Sequence, residues 1–298
     1  MLFLLYINDL PHSINKNNKI ILFADDTSLI ISNPDLINFR DDDKILQYIH
    51  EWFDANLISL KWEKTHFMQF TTKNIFFSNF NIIYKDKKST TVDSIKFLGL
   101  TLDNSLSWKK HIDAIVSKLS AATFALSVVQ VCLSLDPLKL IYYSYFHLVL
   151  TYGIIFWGNT HYSNAVFKMI KRIIRIIVGI RNRDSCREYF KRLKILPLQS
   201  QYLLSLLLFV ADNGDYFRLN SEIHSFNIKN TLNLHPPLSK LTVFQRGPYY
   251  SGIKAFNNLP SYMKNLLQAK KQFKQALKEF LHFYSFYSLN EFYNYNRT

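Results

Sequence analysis

The chain has 298 residues, of which 48% are hydrophobic, with seven Gly and eight Pro. This composition excludes a low-complexity chain and a loop-rich scaffold, and the length favours two domains. The formal net charge is +14, but residues 1–65 hold 6 Lys/Arg against 10 Asp/Glu, so the excess of positive charge lies beyond them. A basic body beside an acidic segment indicates a polyanionic partner near a cation site. A basic protein with an ordinary solvated surface is the alternative.

The cysteines and the apolar segments bear on the cellular compartment. Cys132 and Cys186 are the two cysteines, with no CxxC spacing, so neither a zinc motif nor a disulfide framework is expected and a reducing, intracellular compartment is favoured. The apolar start lacks the basic region of a signal peptide. Residues 140–158 carry no charge, yet four Tyr and His147 favour a buried helix and turn over a membrane span. No membrane association is expected.

Hydrophobic periodicity predicts an α+β unit followed by a mainly helical one. In the first part it predicts helices over 1–10 and 35–57 and strands over 19–24, 27–32, 65–70, 80–85 and 94–100. Beyond residue 106 it predicts helices over 108–130, 136–150, 163–180, 184–194, 198–211 and 264–283. The aspartates at 41–43 fall on the polar side of the second helix, where a solvated face is the prediction and a metal site the alternative.

The stretch "IILFADDTSLIISN" at 20–33 places Asp25 and Asp26 between two apolar runs. Adjacent residues within one strand point to opposite faces, but at a hairpin turn both carboxylates can approach one site. Carboxylates held close together are costly unless a cation neutralises them. Magnesium takes carboxylate oxygens together with substrate phosphates, and two such ions can clamp a phosphoryl transfer. An ordinary Asp-Asp turn is the alternative, since Asp favours turns for local reasons.

Several motifs occur in an order that resembles one polymerase family. "FADD" between two predicted strands is similar to the [FY]xDD box of reverse transcriptases. The other segments resemble those of jockey-like non-LTR retrotransposon polymerases: "LFLLYINDLP" at 2–11, "NLISLKWEKTHFMQF" at 56–70, "KFLGLTLDNSLSWKKHI" at 96–112, "YGIIFWGN" at 152–159 and "AFNNLP" at 255–260. This resemblance covers essentially the whole chain.

The resemblance implies roles for particular residues. Asp25 and Asp26 match the catalytic aspartates that ligate magnesium. The primer grip, where Gly lets the backbone approach the primer end, corresponds to Phe97, Leu98 and Gly99. Lys64 matches a lysine that contacts phosphate or carboxylate, with a surface lysine as the alternative. The resemblance further implies an RNA template, a DNA primer or target DNA, and access to the nucleus.

Two residues of the "LDNSLSWKKHI" segment are interpreted structurally. Trp108 is predicted to be a core residue. His111 is predicted to be a satisfied helix residue, because no second His or Cys lies at ligand spacing.

The family's first catalytic aspartate and fingers precede the segment that "MLFLL" resembles. The chain is therefore expected to be the carboxyl-terminal part of a polymerase, with too few ligands for two metals and no activity alone. A non-catalytic nucleic-acid-binding remnant is the alternative. The predicted parts are a partial palm at 1–104, a basic helical thumb at 105–211 and a carboxyl-terminal extension at 212–298.

The segment "VFKMIKRIIRIIVGIRNRDSCREYFKRLK" at 166–194 carries ten Lys/Arg and two acidic residues. Its apolar residues form one stripe of a helix, so the basic residues take the other side and can follow a phosphate backbone without sequence preference. Membrane-surface binding is the alternative for a basic amphipathic helix. The predicted nucleic-acid contacts here are Lys168, Lys171, Arg172, Arg175, Arg181 and Arg183.

Overall fold

The computed structural model describes residues 2–13, 19–32, 42–70, 83–84, 87–88, 91–223 and 231–295. These residues fall into two units, Met1–Asp93 and Ser94–Thr298. The first unit is small and mixed, and the second is mainly helical. The α+β class predicted from the sequence is confirmed at this level.

The described residues of the first unit form two helices and two short hairpins. Its elements are α1 (Leu2–Tyr6), β1 (Lys19–Phe23), β2 (Asp26–Ile30), α2 (Asp42–Ala55), β3 (Ile83–Tyr84) and β4 (Lys87–Lys88), with 3-10 turns at Leu10–Ser13 and Trp62–Lys64. Its core is formed by Leu10, Ile49 and Phe53, against which Leu22 and Leu29 of the β1–β2 hairpin pack. The hairpin therefore packs against this core through one of its two faces.

Three predictions for this unit are wrong or incomplete. The first helix ends at Tyr6 rather than at residue 10, and a 3-10 turn follows. Among the described residues, segment 65–70 pairs through one parallel bridge from Phe67 to Thr91, so the predicted strand is not formed there. Alternation of apolar residues favours a strand, but a strand needs a partner along its whole length. The predicted strand 80–85 lies partly outside the described residues, as do residues 35–41 of the predicted second helix.

The second unit begins with a hairpin and continues as helices. Its elements are β5 (Ser94–Phe97), β6 (Leu100–Asp103), α3 (Lys109–Val129), α4 (Leu135–Ile141), a π-helical segment (Tyr142–His147), α5 (Leu148–Thr151), α6 (Ile154–Trp157), α7 (Ser163–Val178), α8 (Arg187–Leu193), α9 (Leu198–Asp212), α10 (Asn220–Ile223), α11 (Thr242–Arg246), α12 (Pro248–Asn257), α13 (Ser261–Lys264), α14 (Lys270–Tyr284) and α15 (Leu289–Asn294). A 3-10 turn spans Gly214–Tyr216.

One continuous apolar core joins these helices. It extends from Trp108 to Phe292, and α9 contributes buried residues on several sides, as expected for a central helix. The geometric division lies at residues 93 and 94, and the described residues of 105–211 and 212–298 share this core. The division into palm, thumb and extension concerns functional parts and stays a prediction.

One helix among the described residues, α3, is long and apolar enough to cross a membrane, and α8 with α9 meet the same criterion as a pair bent by 50°. The segment 140–158, which the sequence singled out, is helical through a π-helical segment as far as Thr151 and is broken by the turn at Tyr152 and Gly153. One or two helices of this length and composition are weak evidence for a membrane span, so they assign no membrane role.

A buried carboxylate fixes the start of α3. Asp103 is 6% exposed and accepts hydrogen bonds from the N–H groups of Ser105, Ser107 and Trp108 and from both serine hydroxyls. Burial raises the pKa of Asp103, but the hydrogen bonds from Ser105, Ser107 and Trp108 outweigh it, so the pKa falls below the usual 3.8. The "LDNSLSW" segment is therefore a loop organised around one anion, and Trp108 is buried as predicted.

We expect Asp103→Ala to lower the free energy of unfolding by about 2–3 kcal/mol, because it leaves several donors at the start of α3 without their acceptor. Since the folded pKa is depressed, this stabilisation is present above pH 3.8 and is lost as the pH falls through the folded pKa. Urea unfolding at neutral and acidic pH measures both effects. Asp113→Ala, at an exposed position of the same helix, is the control. Equal stability of the two variants at neutral pH would contradict the prediction.

Candidate nucleic-acid interface

The two aspartates lie at the tip of the β1–β2 hairpin. Phe23 pairs with Asp26, so the loop consists of Ala24 and Asp25, and Asp26 opens β2. Both aspartates are exposed. The predicted turn between antiparallel strands is confirmed. The predicted closeness of segment 94–100 involves the other unit and stays a prediction.

The tip combines backbone strain with an apolar surface. Ala24 has a φ of +53°, in the left-handed region where a side chain is unfavourable. Because paired residues share a face, Asp26 lies on the same side of the hairpin as Phe23 and Ile21, which are 58% and 44% exposed. The carboxylates thus border an uncovered apolar face. Strained residues are frequent at functional sites, where the surrounding structure maintains them.

The donor set at the tip suits a hard cation. Two adjacent carboxylates on one hairpin supply the oxygen ligands that magnesium prefers, with coordination positions left for phosphate oxygens. Within the described residues, no group of three or more His, Cys, Asp and Glu is placed to hold a metal ion. Asp41 lies outside the described residues, and the side chains of Asp42 and Asp43 are not described, so the alternative metal role of this run stays untested.

In the second unit, the predicted primer grip is the tip of the β5–β6 hairpin. Leu98 and Gly99 form its two-residue loop, with φ values of +45° and +80°, as a type I′ turn requires. The predicted strand 94–100 is therefore two strands separated by this turn. Phe97 ends β5 and Gly99 is exposed.

Tyr152 and Gly153 hold this turn, a role the sequence analysis did not assign. The Tyr152 hydroxyl donates a hydrogen bond to the Leu98 carbonyl, and a Cβ on Gly99 would lie 3.0 Å from the same hydroxyl oxygen. In return, a Cβ on Gly153 would lie 2.7 Å from a methyl group of Leu100. The segments "KFLGL" and "TYG" therefore interlock, and their glycines at 99 and 153 were the available signal.

His111 lies beneath the hairpin. Its Nδ1 accepts a hydrogen bond from the Thr101 N–H at 3.3 Å, while its buried Nε2 has no partner among the described residues. Burial lowers the pKa of His111, with a further contribution from the charge of Lys118. The prediction that the His111 ring is hydrogen-bonded within the protein is therefore confirmed for Nδ1 and not for Nε2.

The basic helix α7 buries its apolar stripe, which includes Phe167, Ile170, Ile173, Ile174 and Ile177, as predicted. It ends at Gly179, whose φ is +74°. The exposed residues on its other side include Lys168 and Arg172, for which the structure shows no carboxylate partner among the described residues. These two cations, one helical turn apart, are available to a phosphate backbone.

The remaining predicted contacts of this segment divide into two groups. Arg181 and Arg183 are exposed in the loop after α7. Arg175 donates two hydrogen bonds to the Asp184 carbonyl, at 3.2 and 3.0 Å, and so holds that loop. Lys171 is half-buried, with its Nζ 4.8 Å from the centre of the Phe167 ring. In the first unit, Lys64 is exposed in the 3-10 turn Trp62–Lys64.

We expect Gly99→Ala to destabilise the chain by about 1–2 kcal/mol, the cost of a left-handed conformation for a residue with a Cβ, with the Tyr152 contact adding to it. Thermal unfolding measures the loss. Gly214→Ala is the control, because a Cβ there would meet nothing within 4 Å. A Gly99→Ala variant as stable as Gly214→Ala would contradict the interlock.

Comparisons with known proteins identify one family. The family model described as reverse transcriptase (RNA-dependent DNA polymerase) matches residues 1–102. No curated protein and no solved structure matches the chain. The match includes both aspartates of the β1–β2 tip and the Phe97–Gly99 turn. Residues 1–102 of this chain are thus similar to the reverse transcriptase family.

Proposed function

We propose that this chain is part of a reverse transcriptase, in which Asp25 and Asp26 contribute to a magnesium site. The reaction is the template-directed attack of a primer 3′-hydroxyl on the α-phosphate of a deoxynucleoside triphosphate. The observation that carries the proposal is the family match over residues 1–102, together with the hairpin that exposes both aspartates at its tip. Magnesium bound there would neutralise phosphate charge in the transition state.

The chain's own groups have distinct roles in this proposal. Asp25, in the loop, is the stronger candidate for direct metal ligation, and Asp26 assists from the start of β2. The Phe97–Gly99 turn serves as the primer grip. Its Leu98 carbonyl is occupied by the Tyr152 hydroxyl, so the exposed backbone at Gly99 is the surface available to a primer end.

The finer proposal is a jockey-like non-LTR retrotransposon polymerase, of which this chain is a carboxyl-terminal part. It is supported by the order of the motifs from "FADD" to "AFNNLP". RNA as template and DNA as primer or target follow from the same proposal, as does access to the nucleus.

The second candidate function is a nucleic-acid-binding protein without polymerase activity. One observation favours it: the described residues bring two carboxylates together at the tip and no group of three metal-ligating side chains. A two-metal reaction needs ligands for both ions, so catalysis by this chain alone is disfavoured.

We expect the chain alone not to extend a primer on an RNA template with magnesium or manganese. Loss of a single well-placed electrostatic group costs about 10²–10³ in rate, and the described residues supply two carboxylates at the tip but no group of three metal-ligating side chains. The matched comparison is Asp25→Ala. Extension by the intact chain that Asp25→Ala lacks would contradict the prediction and would mean that another carboxylate completes the site.

We expect nucleic-acid binding with low sequence preference and a steep dependence on salt. Four exposed cations, Lys168, Arg172, Arg181 and Arg183, predict a log–log slope of about −3.6 on duplex. The double variant Lys168→Gln/Arg172→Gln should reduce the slope by about 2. Fluorescence anisotropy over a salt series measures it, with Lys240→Gln as the control. An unchanged slope in the double variant would exclude α7 as the contact surface.

A further inference from the structure

The helical segment that α4, the π-helical segment and α5 form together has a buried face and an exposed face. The buried face is a stripe of apolar residues four positions apart: Leu138, Tyr142, Phe146 and Leu150. Two positions further along lies a second stripe, which we call the outer stripe: Leu140, Ser144, Leu148 and Tyr152. Its three large side chains are 70%, 62% and 54% exposed, and Ser144 is exposed as well. Large apolar side chains therefore face solvent along this helix.

The π-helical segment explains why both stripes repeat every four residues. In an α-helix each step of four residues moves about 40° around the axis, so a stripe with this spacing gradually turns away from the core. Tyr142–His147 is π-helical, and a π-helical turn, closed by i to i+5 hydrogen bonds, holds more residues than an α-helical turn. It therefore rotates the stripes back, which keeps one stripe buried and the outer stripe exposed as far as Tyr152.

The outer stripe ends on the Phe97–Gly99 turn. The Tyr152 N–H donates to the Leu148 carbonyl at 3.2 Å, so Leu148 lies one helical turn before Tyr152. The Tyr152 hydroxyl donates to the Leu98 carbonyl, and a Cβ on Gly99 would lie 3.1 Å from Cε1 of the Tyr152 ring. Because Tyr152 is half exposed, part of this ring remains open to solvent. Leu148 and Tyr152 thus extend the surface of the turn along the helix.

The charge around this surface is positive. Residues 137–183 contain seven Lys/Arg and no Asp or Glu. On the hairpin, Phe97 pairs with Leu100, which packs against the core, so the neighbouring Lys96 points away from the core and is exposed. Lys110 adds a second cation on that side, where its Nζ donates to the Ser94 hydroxyl at 2.8 Å. A polyanion is therefore attracted to the surface beside the turn.

We propose that Leu148 and Tyr152 contact sugars of the last nucleotides of the primer strand, and that Lys96 contacts a phosphate of the same strand. This inference rests on the proposed function, in which the Phe97–Gly99 turn is the primer grip. Sugars are the apolar part of a nucleic-acid backbone and phosphates its charged part, so the backbone matches exposed apolar side chains beside a cation. Tyr152 is also a positioning residue, because its hydroxyl holds the carbonyl of Leu98 in the turn.

Two other occupants match this surface less well. A stable interface with a second copy takes about 20–30 residues from each partner, whereas the outer stripe supplies three large apolar side chains. A helix bound to a membrane surface has a broad apolar face, whereas Ser144 interrupts this narrow stripe. The primer strand is favoured because the stripe ends on the turn and the turn carries the cation.

Hydroxyl-radical footprinting tests the contact directly, because these radicals attack sugars and a bound protein protects the sugars that it covers. The full chain is bound, with magnesium, to a 5′-labelled DNA primer annealed to a longer RNA template. We expect the unaltered chain to protect the last few sugars of the primer. Leu148→Gln should remove this protection and leave the melting temperature unchanged, since Leu148 is exposed. The control is Val131→Gln, which alters an exposed apolar residue outside the outer stripe.

Two further variants test the other residues. Lys96→Gln should reduce the salt slope of binding, measured by fluorescence anisotropy, by about 1. Tyr152→Phe keeps the ring and removes the hydroxyl, so the melting temperature should fall and protection should decrease at the primer end but not farther along the duplex. A lower melting temperature with unchanged protection would show that the hydroxyl only stabilises the fold, and would overturn the positioning role.

The outcomes distinguish this inference from the proposed function. Protection of the primer end that survives both Leu148→Gln and Lys96→Gln, or binding that protects no primer-end sugar, would overturn the inference and leave the proposed function standing. No binding of the hybrid duplex by the unaltered chain would overturn both. An unchanged footprint in Leu148→Gln, together with loss of a dimer in sedimentation or of binding to anionic lipid vesicles, would assign the stripe to a second copy or to a membrane and overturn the inference.

Discussion

The exchange of contacts between two glycine turns determines how the β5–β6 hairpin meets the helical unit. Tyr152 packs over Gly99 and its hydroxyl holds the Leu98 carbonyl, while Leu100 packs over Gly153. Both glycines have positive φ, so each turn needs glycine for its backbone as well as for the space that the other turn fills. The rest of the unit depends on this contact because β6 leads directly to Asp103, whose carboxylate starts α3, and α3 packs on the core through Ile112, Ile115 and Leu119.

Several polar residues in the segments that suggested a polymerase, and in the basic segment 166–194, hold distant parts of the chain together. Asn257 of "AFNNLP" donates to the Leu234 carbonyl and accepts from the Leu234 N–H, at 2.9 and 2.8 Å. Asn159 of "YGIIFWGN" donates to the Arg246 carbonyl at 2.8 Å. Arg187 pairs with Glu291 at 2.8 Å and lies over Tyr287. These side chains join distant parts of the chain, so a structural role is sufficient to explain their presence. The candidates for nucleic-acid contacts are instead the exposed cations.

The sequence predictions were accurate for features that a local pattern determines, and they failed for features that depend on residues distant in sequence. The β1–β2 hairpin and α7 were predictable because an apolar–Asp-Asp–apolar pattern and a helical apolar stripe are local signals. The strand expected at 65–70 failed because alternation does not specify a partner. The turn of the predicted primer grip was located by its "FLG" letters, but its contact with Tyr152 was not predicted, since the two are more than fifty residues apart.

The division of charge between the two units has a consequence for how metal and nucleic acid would bind in the proposed function. By sequence, residues 1–93 carry a net charge of −2 and residues 94–298 a net charge of +16. A phosphate backbone is attracted by the second unit, yet it is repelled by bare carboxylates at Asp25 and Asp26. A divalent cation at the hairpin tip reverses that repulsion, because it becomes the largest local charge. Within the proposed function, metal and nucleic acid should therefore strengthen each other's binding at the tip, whereas the exposed cations of α7 can attract nucleic acid without metal.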